Sequence, residues 1–590
     1  MSFFVVPRSA KKNVALPTPV TFADVLYAHA NFLETNSGQL GPGTPLKGKK
    51  IAVVGGGPAG LCSAWLLTRM GAAVEVIEAS TRIGGRIDSN VPVSGDPARF
   101  ELGAMRVPPS EQLFQYFWNT VFSLPQPSPF PDPGDVDTKI IFQNTVYDWP
   151  AKGSPPAIFD NVAKGWSNFA GSPALQELTT NLSDPSTFGD AQQAWQKLIY
   201  NASAPLGPEQ GYSTVSFYQG LVEAFVENAA THGCQPWTAQ DFALFGALGL
   251  GSGGFGPLYQ VNFAEIVRLV VNGLETSQQF YAAGLSSLTD AFQNSLTQQG
   301  ATFTMNTKVN GVSYHGGVQQ PVCINWVSNS TQGTGYYDAA VIATTTRAMQ
   351  MDMNITEPPT AAPAQAAQGA PGTGAQVSPV TNDQATAVQD LHLMNSSKLF
   401  VLCSSQFWND NANCPQNIQT DGLAHGLYCL GYPGSQYGVV LVSYTWGDDS
   451  TKLIAVTDPN ERLQILLRSL APYASDPGMN AFLTGLNSTL LPQYTTMIDW
   501  QMQPQYYGAF KLNYPGQDVM NQSLYNQALT TSKRVFLAGD SVGWCGGWIE
   551  GALQTGVNAA AAAVNALAGA DALFPNNPMT QSRNLYNYGP

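Results

Sequence analysis

Three glycines and an acid at a fixed interval carry the first readable chemistry of this chain. Gly55, Gly57 and Gly60 follow the apolar run Ile51-Ala-Val-Val54, and Glu78 closes a second run, Val74-Glu-Val-Ile77. A β-branched run that ends at glycine reads as a buried parallel strand. Gly55 permits the tight turn, Gly57 lets the backbone approach a pyrophosphate, and Gly60 lets the next helix, predicted over 61–71, pack on the strand. That helix aims its first amides and its dipole at the phosphates. Glu78, with Ala79 beside it, stands about 20 residues on, where an acid accepts from a ribose hydroxyl. A second basic turn, Arg82-Ile-Gly-Gly85-Arg86, follows at once. It suits a longer dinucleotide whose pyrophosphate and ribityl chain cross the domain.

The chain that must position these groups has 590 residues, 44% of them hydrophobic, enough for more than one cored unit. Its net charge is −14 and it has no basic run beyond residues 8–12. Phosphate backbones need clustered Lys and Arg, so nucleic acid is not an expected partner. Seven cysteines without a Cys-x-x-Cys spacing indicate neither a disulfide framework nor a zinc site. No apolar run is long enough to cross a bilayer and the N-terminus lacks a secretory signal, so no membrane partner and a cytoplasmic location are expected.

Residues 1–47 read as an arm with one amphipathic stretch over 21–34. The dinucleotide domain is expected to be discontinuous, from 48–108, 280–345 and 530–570, because an apolar run at 337–343 and another at 535–540, followed by an Ala-rich helix over 552–567, return to it. Residues 109–279 read as a helical region with part of a substrate domain, including a helical stretch over 215–230. Residues 346–529 complete the substrate domain. Strands are predicted there at 398–402, 426–430 and 438–444, a helix at 461–470, and an exposed low-complexity loop at 358–378. Residues 571–590 read as a tail.

The first turn resembles the FAD-binding segment of the flavin monoamine oxidase superfamily. Five further segments, in order, resemble its L-amino-acid oxidase and amino-acid 2-monooxygenase branch. They are Glu101-Leu-Gly-Ala-Met105-Arg106-Val-Pro, Ser396-Ser-Lys398-Leu-Phe with Phe407-Trp408, and Val442-Ser-Tyr444-Thr-Trp-Gly-Asp. Asp499-Trp500 with Tyr507-Gly-Ala-Phe510 comes next, then Phe536-Leu-Ala-Gly539-Asp540 through Trp544-Cys-Gly-Gly547-Trp548-Ile549-Glu550. Within the branch the chain looks most like the phenylalanine 2-monooxygenases. The resemblance implies an α/β fold of amine-oxidase type: a Rossmann-like FAD-binding domain plus a substrate domain with a mixed sheet and an inserted helical region.

An α-amino acid presents a carboxylate that a planar guanidinium binds bidentately and a lysine does not. Arg106 is the candidate, with the hydroxyl of Tyr444 as a second donor, and the branch holds its carboxylate at these positions. Lys398 matches the lysine that holds a water near flavin N5; a buried ammonium there would stabilise charge on reduced flavin and assist its reaction with oxygen. The resemblance places Trp548 and Trp500 as walls of substrate and flavin, the Gly547 carbonyl on the substrate amine, and Val309 at the adenine. It places Met105, Gly539, Asp540 and Ile549 along the cofactor. Monoamine oxidases attach FAD through a cysteine in a Gly-Gly-Cys turn. The turn here is Gly508-Ala509-Phe510, so FAD should be noncovalent.

Lysine-acting relatives carry an acid just after the turn that here ends at Leu258, followed by Tyr259. An ε-ammonium without a counter-charge is costly, so Leu258 points to an apolar or aromatic side chain. Glu550, the nearest other acid, is expected to support the start of its own helix. The expected activity is oxidation of such an L-amino acid to the imino acid, then 2-oxo acid, ammonia and hydrogen peroxide. The alternatives are the 2-monooxygenase outcome, giving amide, CO2 and water, and oxidation of a basic amino acid. A homodimer or higher homo-oligomer is expected. In the phenylalanine-acting relative a pro-segment plugs the substrate funnel, and residues 1–14, with Phe3 and Phe4, raise the same question here.

Overall fold

Strand Lys50–Val54 occupies the centre of a five-stranded, wholly parallel sheet. The order is Val535–Leu537, Ala339–Ile342, Lys50–Val54, Ala73–Ile77, Thr302–Thr304. In the computed structural model, residues 26–183, 212–353, 355, 376–377, 379–525, 534–575 and 577 are described. Segments far apart in sequence therefore meet in one sheet. Ile51 to Val54 are buried, as a central parallel strand covered on both faces must be.

Helix Pro58–Arg69 covers one face and lies against the final helix, Ile549–Ala568. The close approach depends on small residues. A Cβ on Gly556 would come within 2.6 Å of the Ala59 carbonyl oxygen, and Ser63 Oγ donates to the Gly556 carbonyl at 3.0 Å. Part of the predicted amphipathic stretch forms helix Leu26–Thr35, tied to the final helix by His29 Nε2 and Asn558 Oδ1 at 2.8 Å.

The second sheet has seven strands, ordered Thr496–Asp499, Ser396–Cys403, Gly438–Trp446, Gly426–Gly431, Asn417–Thr420, Thr138–Phe142, Thr145–Trp149. All pairs are antiparallel except Asn417–Thr420 with Thr138–Phe142. Helices Pro459–Leu470 and Pro477–Thr489 cover one face. Each starts at an Asp whose carboxylate accepts an amide, Asp458 from Glu461 and Asp476 from Met479, with proline in the first turn. The opposite face, with Phe400, Leu402, Tyr428 and Leu441, packs with Met105 and Trp500 toward the parallel sheet.

A third unit is helical, around Trp166, Phe169, Phe217, Phe225, Phe245 and Phe263. The predicted helix over 215–230 is broken into Phe217–Val222, a π-turn at Glu223–Glu227 and a 3-10 turn at Ala229–His232. The Asn228 side chain donates to the Glu223 carbonyl at 2.7 Å, competing for an oxygen the α-helical ladder would use. Residues 1–14, nearly all of the predicted loop 358–378 and most of the tail 571–590 lie outside the described residues. Among the described residues no helix is long and apolar enough to cross a membrane, and all seven cysteines are buried.

Candidate active site

One elongated cleft runs from the carboxyl ends of the parallel strands to the helical unit. At its first end the chain leaves strand Lys50–Val54 through Gly55, at φ 104°. A Cβ there would stand 2.4 Å from the Ala343 carbonyl oxygen, and one on Gly60 would stand 2.0 Å from the Gly55 carbonyl oxygen. Both positions therefore exclude any side chain. Gly57, Pro58 and Ala59 line the cleft, and the helix they begin has no side-chain cap, leaving its first amides for an anion. Gly60 itself does not line the cleft; it seats the helix on the turn. Gly60→Ala is expected to lever that helix off the turn and to cut the dinucleotide released on denaturation to a small fraction of the wild-type yield.

Glu78 is buried at the end of its strand, accepting from the Gly56 amide at 2.7 Å and the Ser80 amide at 2.8 Å. Each carboxylate oxygen keeps a lone pair for a ribose hydroxyl. Ala79, Thr307, Lys308 and Val309 continue this wall. Asp352 joins it, in a 2.6 Å ion pair with Lys308 and a 2.8 Å hydrogen bond from the Tyr507 hydroxyl. The donor set fits a dinucleotide: an acid for ribose and uncapped amides for pyrophosphate.

The two arginines of the second turn part company. Arg86 lines the cleft and donates to the Ala509 carbonyl at 2.7 Å and to Asp540 at 3.0 Å. Arg82, assigned to the cofactor from its place in the turn, does not line it. Its guanidinium donates to the carbonyls of Ile83, Gly85 and Ile87 and pairs with Asp88 at 3.0 Å. A turn with two consecutive left-handed glycines, Gly84 and Gly85, leaves those carbonyls converging, and Arg82 satisfies them. Asp540 lines the cleft beside Gly539 while binding three segments together. It accepts from Arg86, from the Lys511 amide at 3.0 Å and from the Gly547 amide at 2.6 Å.

In the middle of the cleft stand Gly103, Met105 and Trp500, the indole N–H of Trp500 donating to the Leu102 carbonyl at 3.0 Å. At the far end Lys398, Arg106, Tyr444, Gly547, Trp548 and Leu258 come together. Lys398 and Tyr444 are register partners on neighbouring strands, which sets them side by side on one face. The ammonium lies 4.8 Å from the Tyr444 ring centroid. Lys398 is buried, and its Nζ donates to the carbonyls of Glu101 at 3.0 Å and Gly103 at 2.5 Å. Burial lowers its pKa to about 7, with Arg106 adding repulsion and Glu101 opposing. The Glu101 carboxyl is itself pushed up to about 7 by burial, against hydrogen bonds from Ser89 and the Leu285 amide.

Arg106 stands at the rim of this group with its side chain 13% exposed. Its acids are two that sequence reasoning missed. Nη1 lies 3.6 Å from Asp132 and Nη2 lies 3.9 Å from Glu275. Burial would lower the guanidinium pKa, but Tyr428, Glu275, Asp132 and Tyr444 hold it above its ordinary value. Asp132 is raised by burial to about 6 despite Arg106. Neither acid belongs to a recognisable motif. One lies in a Pro-rich loop and the other in the link between helix Phe263–Val271 and strand Gln279–Phe280.

Glu550 does not support the start of its own helix, correcting that expectation. It accepts from the amides of Leu113 and Phe114, at 2.9 and 3.0 Å, while Glu111 accepts from the Glu550 amide at 2.8 Å. Two buried carboxyls thus cap each other's helices, and burial raises Glu550 to about 8. The remaining wall consists of Leu269, Trp446, Phe510 and Leu512, with Ile549 at the helix start.

The model of the family described as flavin containing amine oxidoreductase matches residues 58–564. A tryptophan 2-monooxygenase of Pseudomonas savastanoi is 34% identical over 595 residues, covering 96% of this chain and 98% of that protein. An L-amino-acid oxidase of Siganus canaliculatus is 23% identical, covering 86% and 84%. Among solved structures, cyclohexylamine oxidase from Brevibacterium oxydans IH-35A superposes with a TM-score of 0.58 at 16% identity, covering 88% of this chain and 98% of that one.

Proposed function

The chain belongs to the flavin-containing amine oxidoreductase family, with FAD as its cofactor, and we propose that it is an amino-acid 2-monooxygenase acting on a large aromatic L-amino acid. The observation that carries the reading is one guanidinium, Arg106, set in the cleft beside Tyr444 and Lys398 and facing an apolar wall. Arg106 and the Tyr444 hydroxyl hold the substrate carboxylate. The Gly547 carbonyl receives the amine, which turns Cα toward the flavin. The side chain then falls among Leu258, Leu269, Trp446, Phe510, Leu512 and Trp548, where flat rings pack well on a flat ring. The Gly57–Ala59 turn, Glu78 and Asp540 would hold FAD, which when bound would supply an acceptor for the Cα hydride and a donor of electrons to O2. Overall, one amino acid and one O2 give the amide one carbon shorter, CO2 and water.

Reading the residues alone put the oxidase outcome first, and the comparisons favour the reverse order. The Pseudomonas savastanoi relative, similar along nearly all of its length, is a monooxygenase, whereas the amino-acid oxidase is distant. Basic substrates fit less well, because Glu275 is paired with Arg106 at the carboxylate end rather than set among the side-chain contacts. Among the described residues no cysteine lines the cleft, and Phe510 stands where the covalent enzymes carry one, so denaturation should release intact FAD.

The test is an anaerobic screen of the twenty amino acids for flavin bleaching, followed by product analysis in air. Tryptophan or phenylalanine should bleach fastest, and aerobic turnover should yield amide and CO2 in step with O2 consumed. Oxo acid and peroxide in that ratio would restore the oxidase reading, and fastest bleaching by lysine or arginine would overturn the side-chain assignment.

A further inference from the structure

Arg106 is not a free fork. Its two terminal nitrogens are divided between two carboxylates on different loops, and both contacts are longer than a direct hydrogen bond: 3.6 Å to Asp132 and 3.9 Å to Glu275. The two acids differ in how firmly they are held. Asp132 has a side chain 21% exposed, and its backbone is tied into a tight loop, its amide donating to the Phe130 carbonyl and its carbonyl accepting from Asp135. Glu275 has a side chain 38% exposed, lines the cleft, and follows Gly273 and Leu274 in a link with left-handed turns at Gly273 and Ser277.

A substrate carboxylate that reaches Nη2 bonds it at about 2.7–2.9 Å. There it meets the negative charge of Glu275, 3.9 Å from the same nitrogen.

We propose that Glu275 tunes substrate affinity by competing with the substrate carboxylate for Arg106, while Asp132 remains as the permanent partner of Nη1. Substrate entry exchanges one carboxylate for another at Nη2, so the guanidinium never stands unpaired in the cleft. The exchange weakens every ligand that offers Arg106 a lone carboxylate. Because the cost is common to all of them, Glu275 sets how tightly the site holds a carboxylate and leaves the choice of side chain to the aromatic wall. This inference rests on the carboxylate role of Arg106 in the proposed function.

The experiment titrates the FAD-loaded full chain with 3-phenylpropanoate, an aromatic carboxylate with no amine to oxidise, and reads the flavin absorbance. Glu275→Gln should tighten its dissociation constant about 3- to 10-fold, the effect of removing one partly exposed ion-pair competitor. KM for the best amino acid should fall with it, while kcat moves less than KM. KM for alanine should fall by a similar factor, because the competition is common to every carboxylate ligand. Glu275→Asp, shorter by one methylene, should lie between the two and guards against a folding artefact in the amide variant. An unchanged or weakened dissociation constant in both variants overturns the proposal. Failure of every amino acid to bleach the wild-type flavin would sink the activity instead, and the phenylpropanoate titration would still report on the fork.

Discussion

Replacing Arg106 with Met is expected to weaken amino-acid binding by about 2–5 kcal/mol, the cost of truncating one member of a hydrogen-bonded charge pair in a desolvated site, or roughly 30- to 5,000-fold in the dissociation constant. The upper half of that range is favoured here. The variant does not leave a neutral hole, because Asp132 and Glu275 remain facing the position the guanidinium held. An incoming carboxylate then meets two acids and no cation. Arg106→Lys should recover only part of the loss, since an ammonium is a point charge that cannot engage two oxygens in one plane. The measurement is an anaerobic titration of flavin bleaching against amino-acid concentration. Bleaching at the wild-type concentration in the Met variant would remove Arg106 from the carboxylate role and with it the geometry of the whole site.

What the sequence made legible was local. The turn at Gly55, the helix seated by Gly60 and the acid at Glu78 obey constraints set by neighbours a few residues away. The same holds for the alternation that sets Lys398 and Tyr444 on adjoining strands. What escaped was long-range. Asp132 and Glu275 reach Arg106 from two loops of unremarkable composition, and no spacing rule connects them. Glu111 and Glu550 cap each other's helices across the molecule, so reading Glu550 against its own helix pointed at the wrong partner. The carbonyls that Arg82 satisfies were not legible either, because carbonyl crowding around Gly84 and Gly85 is a property of backbone angles. Past Val222 the Glu223 carbonyl accepts from both the backbone and the side-chain amide of Asn228, which hydrophobic periodicity does not register.

Lys398→Met should slow the reaction of the reduced enzyme with oxygen by about 10²–10⁴-fold, the range of a positioned proton-transfer group, with a smaller effect on anaerobic bleaching. Lys398 is buried against two carbonyls and titrates near 7 instead of 10.5, so its charge changes within the working pH range. Negative charge on reduced flavin would favour the ammonium and move that midpoint upward. The wild-type oxygen reaction should therefore fall as pH rises through a midpoint at or above about 7, and the Met variant should show no such limb. Stability supplies a second readout that does not depend on turnover. With the folded pKa below the unfolded one, the unfolded chain binds more protons between about pH 7 and 10.5, so this residue makes the fold more stable as pH rises across that window and carries its full burial penalty below it. Methionine has no such slope. The melting temperature of the FAD-free Met variant, relative to wild type, should be more favourable at pH 6.5 than at pH 9.5. A constant difference across that span, together with an unchanged oxygen rate, would show that Lys398 stays charged throughout and serves only to bridge the Glu101 and Gly103 carbonyls.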